Sequence, residues 1–346
     1  MSAEAIIVAG GFGTRLRPLT DRRPKHLLEV GGVPFLEHQI ARLAMAGVRR
    51  VVLATSYRAE LFEPVLGDGS RWGLRLEYVH EEEPLGTAGA IRNAADALTC
   101  GPEDAVVVLN GDVLSGHRLD EQLAGFEKPR DGRSVDVSLH LVEVEDACAF
   151  GCVPTDESGR VLGFHEKSAE PVSRQVNAGC YVFRRRVIDI IPPGRVVSVE
   201  RETFPELVDT GALVFGYLEN AYWRDVGTPA ALVAASKDLV LGRFTSPAVD
   251  SEPTGARVAR DTRVSPSATV NSGSVVCDGC VVGAGAVVSG SVLMPGARVG
   301  EYAVLVDCVL GPGAVVGPAT ELREVIVGDG ARVDSRVEDG SRVPVS

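Results

Sequence analysis

An aliphatic residue recurs at every sixth position through roughly the last ninety residues, and this spacing limits the folds that the segment can adopt. The aliphatic positions form shifted runs, which are Val258, Val264, Val270, Val276, Val282, Val288, Leu293, Val299, Leu305, Leu310, Val316, Leu322, Val327 and Val333. One inward aliphatic residue in six is typical of a parallel β-helix, whose short strands stack their side chains in columns. The repeat therefore predicts a structural or oligomerising module without chemistry of its own.

Residues 1 to about 240 instead alternate strand-like apolar runs with helical patterns, which is typical of an α/β domain. The predicted strands and strand candidates are Ala5–Val8, Val51–Ala54, Leu76–Val79, Val106–Leu109, Val182–Phe183 and Leu213–Tyr217. A helix is predicted over Leu36 to Ala46, with Gly47 as its stop. From about residue 135, apolar and polar residues alternate up to Leu141, which predicts a half-buried antiparallel strand with one wet face.

These patterns divide the 346 residues into two domains and a linker, as the length also suggests. We predict a first domain over 1–243, with one half at about 1–134 and a second at about 135–243. A linker rich in Ser, Pro, Thr and Gly follows over 244–256. The β-helix then occupies 257–346.

Composition excludes several classes of function. The net charge of −12 argues against nucleic acid as a partner, because duplex binding needs a basic face. Neither a membrane span nor a leader is apparent, and the seven cysteines have no framework spacing, so we expect no membrane association and a cytoplasmic location. Only four of the 35 basic residues are lysines, so a lysine is expected to mark a position that needs a compact ammonium.

A glycine-rich loop follows the first predicted strand. The glycines at 10, 11 and 13 allow successive backbone N–H groups to wrap an anion, and Arg15 and Lys25 add full positive charge. Neither a dinucleotide-binding fingerprint nor a G-x-x-x-x-G-K-[ST] phosphate loop fits this segment. Five basic residues lie within eleven positions and predict a local positive pocket, namely Arg15, Arg17, Arg22, Arg23 and Lys25.

Two aspartates stand in distant segments, each in a context that suits a metal ligand. Asp112 follows the strand Val106–Leu109 and a glycine, and Asp225 lies in the run Trp223–Gly227. Mg²⁺ takes one or two protein carboxylates and completes its shell with water and phosphate oxygens. Each aspartate by itself also fits a turn or a cap.

Together, six ordered motifs resemble those of sugar-1-phosphate nucleotidyltransferases, and most of all the GDP-mannose pyrophosphorylases. The motifs are Val8–Thr20 with Pro24-Lys25, Glu81–Gly89, Asn110–Asp112, Phe164–Lys167, Asn177–Tyr181 and Trp223–Gly227. The resemblance implies a Rossmann-like nucleotidyltransferase domain with a mixed sheet, followed by a C-terminal left-handed parallel β-helix of hexapeptide repeats.

The resemblance also implies a role for each motif residue. The catalytic residues would be Arg15 and Lys25, and Asp112 and Asp225 would bind Mg²⁺. Nucleotide-binding residues would be Gly10, Gly11, Gly13, Thr14, Gly86 and Thr87, with Gly86 against the base. Sugar-phosphate-binding residues would be Gly151, Glu166, Lys167, Asn177 and Gly179. One departure falls in the second half of the domain, where Ser168 stands in place of the proline that many relatives carry.

The implied reaction needs no protein nucleophile. A phosphate oxygen of a sugar 1-phosphate attacks the α-phosphorus of a nucleoside triphosphate, and pyrophosphate leaves. The protein must overcome repulsion between two anions and stabilise the charge that builds on the phosphate oxygens. Arginine, lysine and Mg²⁺ suit that task.

The default substrates are GTP and mannose 1-phosphate, and two other pairs stay open. One is dTTP or another triphosphate with glucose 1-phosphate. The other acceptor is a cyclitol phosphate, such as valienol 1-phosphate in antibiotic biosynthesis, because the scarcity of lysine suggests a GC-rich genome. A few pocket groups decide such choices.

Two further classes of function remain to be compared with the enzyme. A non-catalytic regulatory subunit that binds an NDP-sugar would have lost its metal and phosphate ligands, whereas this chain retains them. An acyltransferase site in the β-helix would need a histidine there, and none occurs after His165. We also expect a homo-oligomer, because an open β-helix end commonly needs a partner or a cap.

Overall fold

The computed structural model describes residues 3–148, 150–165, 167–249 and 252–346. Two compact units divide the chain. Unit 1 consists of Met1–Gly10 and Ile40–Trp223, and unit 2 consists of Gly11–Gln39 and Arg224–Ser346. The domain boundaries given above remain a prediction.

The first 240 residues supply seven helices and eleven strands to the described part of the chain. In chain order they are β1 (Glu4–Ala9), β2 (Glu29–Val30), β3 (Val33–Pro34), α1 (Phe35–Met45), β4 (Arg50–Thr55), α2 (Phe62–Leu66), β5 (Arg75–His80), α3 (Gly86–Ala95), β6 (Ala105–Asn110), β7 (Val113–Ser115), α4 (Leu119–Phe126), β8 (Val137–Glu143), β9 (Gln175–Arg184), α5 (Arg185–Asp189), α6 (Phe204–Asp209), β10 (Val214–Leu218), β11 (Trp223–Asp225) and α7 (Pro229–Val240).

Unit 1 is built on a seven-stranded mixed sheet in the order β10-β8-β9-β6-β1-β4-β5. Strand β1 pairs in parallel with both β4 and β6, whereas β9 is antiparallel to β6 and β8. The apolar runs of β1, β4 and β6 are buried on both faces, as expected for parallel strands covered by helices. This is the Rossmann-like architecture with a mixed sheet, and the predicted strands and the predicted helix are confirmed.

The strand order changes direction between β1 and β6. From β1 the sheet continues through β4 to β5 on one side, and β6 then lies on the other side of β1. Ligands of α/β sheets bind at such a switch point, outside the carboxyl ends of the strands. Gly10 and Asp112 each lie two residues beyond the register pair Val8 and Asn110, so both lie at this edge.

The prediction of a wet face on β8 is wrong. Six of its seven residues are buried, including Ser138 and His140. The His140 ring stacks on His117 with centroids 3.7 Å apart, and the Gln122 amide donates to the Ser138 carbonyl at 3.3 Å. The polar residues of β8 are therefore covered by other polar side chains, a pattern that alternation alone does not distinguish from solvent exposure.

The C-terminal strands of unit 2 form three parallel sheets of a left-handed β-helix. In chain order they are β12 (Ala256–Val258), β13 (Arg263–Val264), β14 (Thr269–Asn271), β15 (Ser274–Val276), β16 (Val281–Val282), β17 (Val287–Ser289), β18 (Val292–Leu293), β19 (Arg298–Val299), β20 (Val304–Val306), β21 (Val309–Leu310), β22 (Val315–Val316), β23 (Glu321–Arg323), β24 (Ile326–Val327), β25 (Arg332–Val333) and β26 (Arg342–Val343). The sheets run β12-β15-β18-β21-β24-β26, β13-β16-β19-β22-β25 and β14-β17-β20-β23.

The register of these sheets follows the aliphatic repeat. Val276 pairs with Leu293, and Leu293 pairs with Leu310, so the numbering advances by 17 residues at each of these coils. The first coil is one residue longer, because Val258 pairs with Val276. The repeated aliphatic residues from Val276 onward fill one buried core, which confirms the hexapeptide repeat.

Helix α7 packs against the β-helix within unit 2. The Thr228 side chain caps the helix by accepting a hydrogen bond from the Ala231 N–H, and Pro229 occupies its first turn. A Cβ at Gly273 would lie 3.0 Å from the Lys237 Cα, so glycine there allows the helix to approach β15 closely. In the described part of the chain, no helix has the length and apolarity needed to cross a membrane.

Candidate functional site

The glycine loop begins in unit 1 at the carboxyl end of β1. A Cβ at Gly10 would lie 3.3 Å from the Ser56 Cβ and 3.8 Å from a carboxylate oxygen of Glu81. The Gly111 N–H donates to the Val8 carbonyl at 2.9 Å, which fixes the turn carrying Asp112 beside the end of β1. Gly10 and Asp112 are thus brought to the same edge of the sheet.

The rest of the loop lies in unit 2 and is closed by Lys25. Gly13 adopts a left-handed conformation (φ +62°) and starts a short 3-10 helix over Thr14–Leu16. A Cβ at Gly13 would lie 2.9 Å from the Lys25 Cβ, and one at Gly11 would lie 3.5 Å from the Lys25 Nζ. The Lys25 ammonium therefore lies over the glycine backbone, where an anion would be held.

Arg15 and Asp225 converge on Gly227, also in unit 2. A Cβ at Gly227 would collide with an Arg15 Nη atom and lie 2.7 Å from the Asp225 Oδ1. Arg15 itself is exposed. Glycine at position 227 allows a guanidinium and a carboxylate to approach the same stretch of backbone. The motif Trp223–Gly227 contained this glycine, but the sequence did not indicate which neighbours it would admit.

Three other basic residues of the segment have structural partners in unit 2, so the predicted five-cation pocket is wrong in its extent. Arg22 donates to the Ser346 carbonyl at 2.6 Å, and Arg23 pairs with Asp329 at 2.5 Å. Arg17 pairs with Asp21 at 3.3 Å. Of the five cations, Lys25 lies against Gly11 and Gly13 of the loop, and Arg15 lies against Gly227.

The two residues of β9 that were predicted to bind the sugar phosphate belong to a hydrogen-bonded group in unit 1. The Gly179 N–H donates to the Asn177 side-chain oxygen at 3.0 Å, and a Cβ at Gly179 would lie 3.0 Å from the Asn110 amide nitrogen. Asn177 donates to the Tyr181 hydroxyl at 2.8 Å. Asn177 and Gly179 are therefore brought beside Asn110, two residues from Asp112.

Gly151 approaches the same strand from a neighbouring loop. A Cβ at Gly151 would lie 3.1 Å from the His165 carbonyl oxygen. The backbone of the next residue, Cys152, forms isolated antiparallel β-bridges with both His165 and Val176. Lys167 is exposed, and Glu166 lies outside the described residues. Ser168 closes a local turn with the backbone of Glu170, accepting from its N–H at 3.1 Å.

Glu200 was not predicted, and it links the Thr87 and Asn177 groups. Its carboxylate accepts a hydrogen bond from the Thr87 hydroxyl at 3.1 Å and another from the Tyr181 hydroxyl at 3.4 Å. It lies in a single π-helical turn, Val199–Thr203, an irregularity frequent at functional sites. Glu202 in the same turn accepts a hydrogen bond from the Ser198 N–H at 2.8 Å and so caps the turn. The sequence alone does not show that Glu200, rather than Glu202, points towards Thr87 and Tyr181.

The predicted glycine next to the base has a packing role in the structure. Gly86 starts α3 with φ +72°, and a Cβ there would come within 2.5 Å of the Val197 carbonyl oxygen. Gly89 has the same relationship to the Arg195 carbonyl. Both glycines admit the backbone of residues 195–197, and contact of Gly86 with a base remains a prediction.

Glu81 is a buried carboxyl that the sequence also left unassigned. Only 5% of the residue is exposed, and burial raises the pKa of its carboxyl. One carboxylate oxygen accepts from the Leu85 N–H at 3.4 Å, and the other is buried with no hydrogen-bond partner among the residues that the structure describes. Glu82 and Glu83 are exposed, so the run of three glutamates hid the one that points inward. A ligand that donates hydrogen bonds would satisfy it.

Asp112 in unit 1 and Asp225 in unit 2 each offer a carboxylate, the donor type that a hard divalent cation prefers. Carboxylate oxygens are what such ions take, and a Mg²⁺ ion binds through one or two of them plus phosphate oxygens. Among the described residues, no group of three or more His, Cys, Asp or Glu side chains forms a protein-only metal cluster. Either carboxylate is of the type that binds a metal ion arriving with a phosphate ligand.

Comparisons with known proteins identify the family to which the chain belongs. The nucleotidyl transferase family model matches residues 4–240, and a GMPPB C-terminal domain model matches residues 255–339. Mannose-1-phosphate guanylyltransferase of Mycobacterium tuberculosis is 50% identical over 82% of this chain and 77% of its own. The mannose-1-phosphate guanylyltransferase catalytic subunit beta of Drosophila melanogaster is 36% identical over 78% and 71%. The crystal structure of HddC from Yersinia pseudotuberculosis complexed with GMP-PN is similar with a TM-score of 0.56 and 28% identity, over 67% of this chain and 97% of that one.

Proposed function

Since the chain belongs to the nucleotidyl transferase family, as a sugar-1-phosphate nucleotidyltransferase, we propose that it transfers GMP from GTP to mannose 1-phosphate and releases pyrophosphate. The observation that carries the proposal is the 50% identity, over most of both chains, to a relative named for that reaction. Family members generally use a divalent metal.

The buried carboxyl of Glu81 supports guanine as the base. Guanine presents two adjacent donors, N1–H and the N2 amino group, and a carboxylate accepts both at once. Adenine, cytosine and thymine lack this donor pair. Satisfying the unpartnered oxygen of Glu81 is worth more than an ordinary hydrogen bond, because a buried polar group without a partner is costly.

The phosphates are proposed to bind to the loop cations and the backbone of the glycine loop. Lys25 and Arg15 hold the triphosphate and stabilise the negative charge that grows on its oxygens as the bond to pyrophosphate breaks. The glycine N–H groups orient the chain of phosphates for in-line attack. No protein side chain becomes covalently attached.

The sugar 1-phosphate is proposed to bind along β9 and the neighbouring loops. Lys167 takes its phosphate, while Asn177 and the backbone at Gly151 and Gly179 bind sugar hydroxyls. Asp112 and Asp225 would hold Mg²⁺, which neutralises phosphate charge when bound. A cytoplasmic location and a homo-oligomeric assembly remain predictions.

A matrix of substrates tests this function. GTP, dTTP, ATP and UTP are each combined with mannose 1-phosphate, glucose 1-phosphate and valienol 1-phosphate, with Mg²⁺ present and pyrophosphate release as the readout. We expect the highest kcat/KM for GTP with mannose 1-phosphate. Turnover only with the cyclitol phosphate would overturn mannose, and turnover only with dTTP would overturn guanine. No turnover with any pair would favour the non-catalytic NDP-sugar-binding subunit.

A further inference from the structure

A histidine outside all of the predicted roles lies at the centre of a buried hydrogen-bond network in unit 1. His117 is 3% exposed, and both nitrogens of its ring have partners. Its Nδ1 lies 2.7 Å from the Nη2 of Arg42 in α1, and its Nε2 lies 2.9 Å from the side-chain oxygen of Gln122 in α4. Arg42 also donates to the His117 carbonyl at 2.8 Å. This one residue therefore joins two helices.

The partners fix the proton positions on the His117 ring. A guanidinium N–H only donates, so the Nδ1 must accept from Arg42 and the Nε2 must carry the proton. The Nδ1 also accepts from the hydroxyl of Ser115, the last residue of β7, at 3.1 Å. Gln122 accepts from the Nε2 and donates to the Ser138 carbonyl at 3.3 Å. Burial and the charge of Arg42 both lower the pKa of His117, which keeps the ring neutral. The network thus has a single arrangement of donors and acceptors.

Two hydrogen bonds hold the segment before β11 beside His117. The Gly116 N–H donates to the Tyr222 carbonyl at 2.8 Å. The His140 ring, which stacks on His117, donates through its Nε2 to the Glu219 carbonyl at 3.3 Å. The position of this segment therefore depends on where His117 lies.

Three contacts extend from the network to consecutive residues of β9. The indole N–H of Trp223, which follows the held segment, donates to the Ala178 carbonyl at 3.1 Å. A Cβ at Gly179 would lie 3.1 Å from a methyl carbon of Val113 in β7. The Cys180 thiol donates to the amide oxygen of the network at 3.5 Å. The part of β9 that carries the proposed sugar-phosphate residues is therefore packed against groups whose positions depend on the network.

We propose that Arg42 and His117 are positioning residues for the sugar 1-phosphate. They act through β9, by holding Asn177 and the backbone of Gly179 where the proposed substrate site needs them. A misplacement of about 1 Å in groups that orient a substrate can slow a reaction about a hundredfold. A fully satisfied buried network gives the rigidity that this placement requires. The functional half of the inference rests on the proposed function, whereas the connection between the network and β9 does not.

Tryptophan fluorescence tests the connection without any substrate. The chain has two tryptophans, so Trp72→Phe leaves Trp223 as the single reporter of the bond to Ala178. In that background, His117→Leu removes the ring acceptor of Arg42 and the support of the segment before β11. We expect the emission maximum to move to longer wavelength and quenching by acrylamide to increase. Should His117→Leu fail to fold, Arg42→Met is expected to give the same shift.

Two variants separate positioning from a general loss of stability. His117→Asn retains an acceptor where the Nδ1 lies, and it is expected to keep the wild-type emission of Trp223. Asp136→Leu removes another buried side chain with two partners, Arg186 at 2.7 Å and the Leu213 N–H at 2.8 Å. The Asp136 carbonyl accepts from the last residue of β9, where β6 begins, so this residue lies at the opposite edge of the sheet. Asp136→Leu should lower the urea midpoint and leave the emission unchanged.

Steady-state kinetics with GTP and mannose 1-phosphate test the functional half. His117→Leu and Arg42→Met are each expected to raise the KM for mannose 1-phosphate about tenfold and to leave the KM for GTP within about twofold of wild type. The double variant should be no worse than either single variant, because the two residues act as a pair. His117→Asn should stay within about threefold of wild type in both constants.

The possible failures are distinguishable. Unchanged Trp223 emission in folded His117→Leu and Arg42→Met would overturn the connection to β9. An equal rise in both KM values, or additive effects in the double variant, would overturn the positioning role. A wild-type chain without turnover would overturn the proposed function and the functional half together, and the fluorescence result would still decide whether the network holds β9.

Discussion

The guanidinium of Arg342, in the last strand of the β-helix, donates a hydrogen bond to the backbone carbonyl of Arg17 in the arginine-rich segment after β1. Arg22 and Arg23 of the same segment contact Ser346 and Asp329. The β-helix was predicted to be a structural module without chemistry of its own. The structure gives that role a specific target, because the module fixes the segment that carries the proposed catalytic cations.

Breaking this attachment should affect both stability and substrate binding. The carboxylate of Asp329 is 7% exposed and pairs with Arg23, so Asp329→Asn leaves a mostly buried guanidinium without its counter-charge. We expect a loss of about 2 kcal/mol in the free energy of unfolding, because removing one partner of a buried pair is costly. The KM for the triphosphate should rise severalfold, since Lys25 is two residues from Arg23. Urea titration and steady-state kinetics measure the two effects.

Asp334→Asn is the control for that experiment. Asp334 pairs with Arg332 on the same β-helix, but 56% of its side chain is exposed. Exposed pairs contribute little to stability. If Asp329→Asn behaved like Asp334→Asn in both measurements, the attachment would have no energetic importance.

Replacing Glu81 should change the choice of base. In Glu81→Gln the side chain retains its shape, but its amide group presents N–H donors to the guanine donors. We expect kcat/KM for GTP to fall about 10- to 100-fold, with little change for ATP or dTTP. Glu82→Gln, at an exposed neighbour, should behave like the wild type. An equal fall for all triphosphates would show that Glu81 supports the loop and does not select the base.

The two aspartates are expected to be required for turnover. Asp112→Ala and Asp225→Ala should each lower kcat by about a thousandfold, as loss of a principal charge-stabilising group does. Circular dichroism should show both variants folded. EDTA should abolish wild-type activity, and added Mg²⁺ should restore it. Retention of activity by both variants would refute the metal assignment, and Asp120→Asn on the exposed start of α4 is the control.

Glu200 is predicted to be a positioning residue for both substrates. Glu200→Gln cannot accept two hydrogen bonds at the same two oxygens as the carboxylate does, so the Thr87 and Tyr181 hydroxyls lose their common acceptor. We expect KM to rise about tenfold for both the triphosphate and the sugar phosphate, with a smaller change in kcat. In Glu202→Gln, which alters only the cap at Ser198, both KM values should remain near wild type. Identical kinetics in the two variants would assign Glu200 a structural role alone.

Acidic pH should destabilise the fold through three buried histidines. Burial lowers the pKa of His38 and of His140 to about 4, and it also lowers the pKa of His117. Their stabilising contribution is present above the unfolded pKa of about 6.5 and is lost as pH falls towards 4. Each histidine should cost about 1.4 kcal/mol per pH unit in that window.

The urea midpoint measured between pH 7.5 and 5 tests this expectation. The midpoint should fall steadily below pH 6.5, and His140→Gln should reduce the slope by removing one titrating group. The raised carboxyl pKa values at Glu29, Glu81 and Asp329 oppose the trend, because these carboxyls bind protons more readily in the folded protein as pH falls towards their ordinary values near 4. A midpoint that stayed constant down to pH 5 would contradict the prediction.

Periodicity made the architecture predictable from sequence. The six-residue spacing fixed the inward positions of the β-helix, because each strand can bury only one aliphatic residue in its column. The apolar run of β1 and the glycines after it located the switch-point edge of the sheet. The inward positions of the β-helix and the position of this sheet edge both depend on residues that are close together in sequence, so local patterns predict them.

Long-range partners were not predictable in the same way. Arg22 and Arg23 looked like members of a phosphate pocket, because nothing near them in sequence reveals partners at Ser346 and Asp329. Glu81 and Glu200 each stand near other glutamates that are exposed or act as caps. Which carboxyl turns inward depends on the tertiary fold, so sequence alone left both unassigned.

The 17-residue coil has a consequence for how the length of the β-helix can vary. Parallel strands stack about 4.8 Å apart, so removing one coil would shorten the β-helix by that distance while retaining its register. Helix α7 packs at β15, near the beginning of the stack, whereas Asp329 and Arg342 lie near its end. The number of coils therefore sets the distance between α7 and the residues that bind Arg17 and Arg23. In a protein one coil shorter, Arg342 and Asp329 would be displaced by a full strand spacing and could not make these contacts.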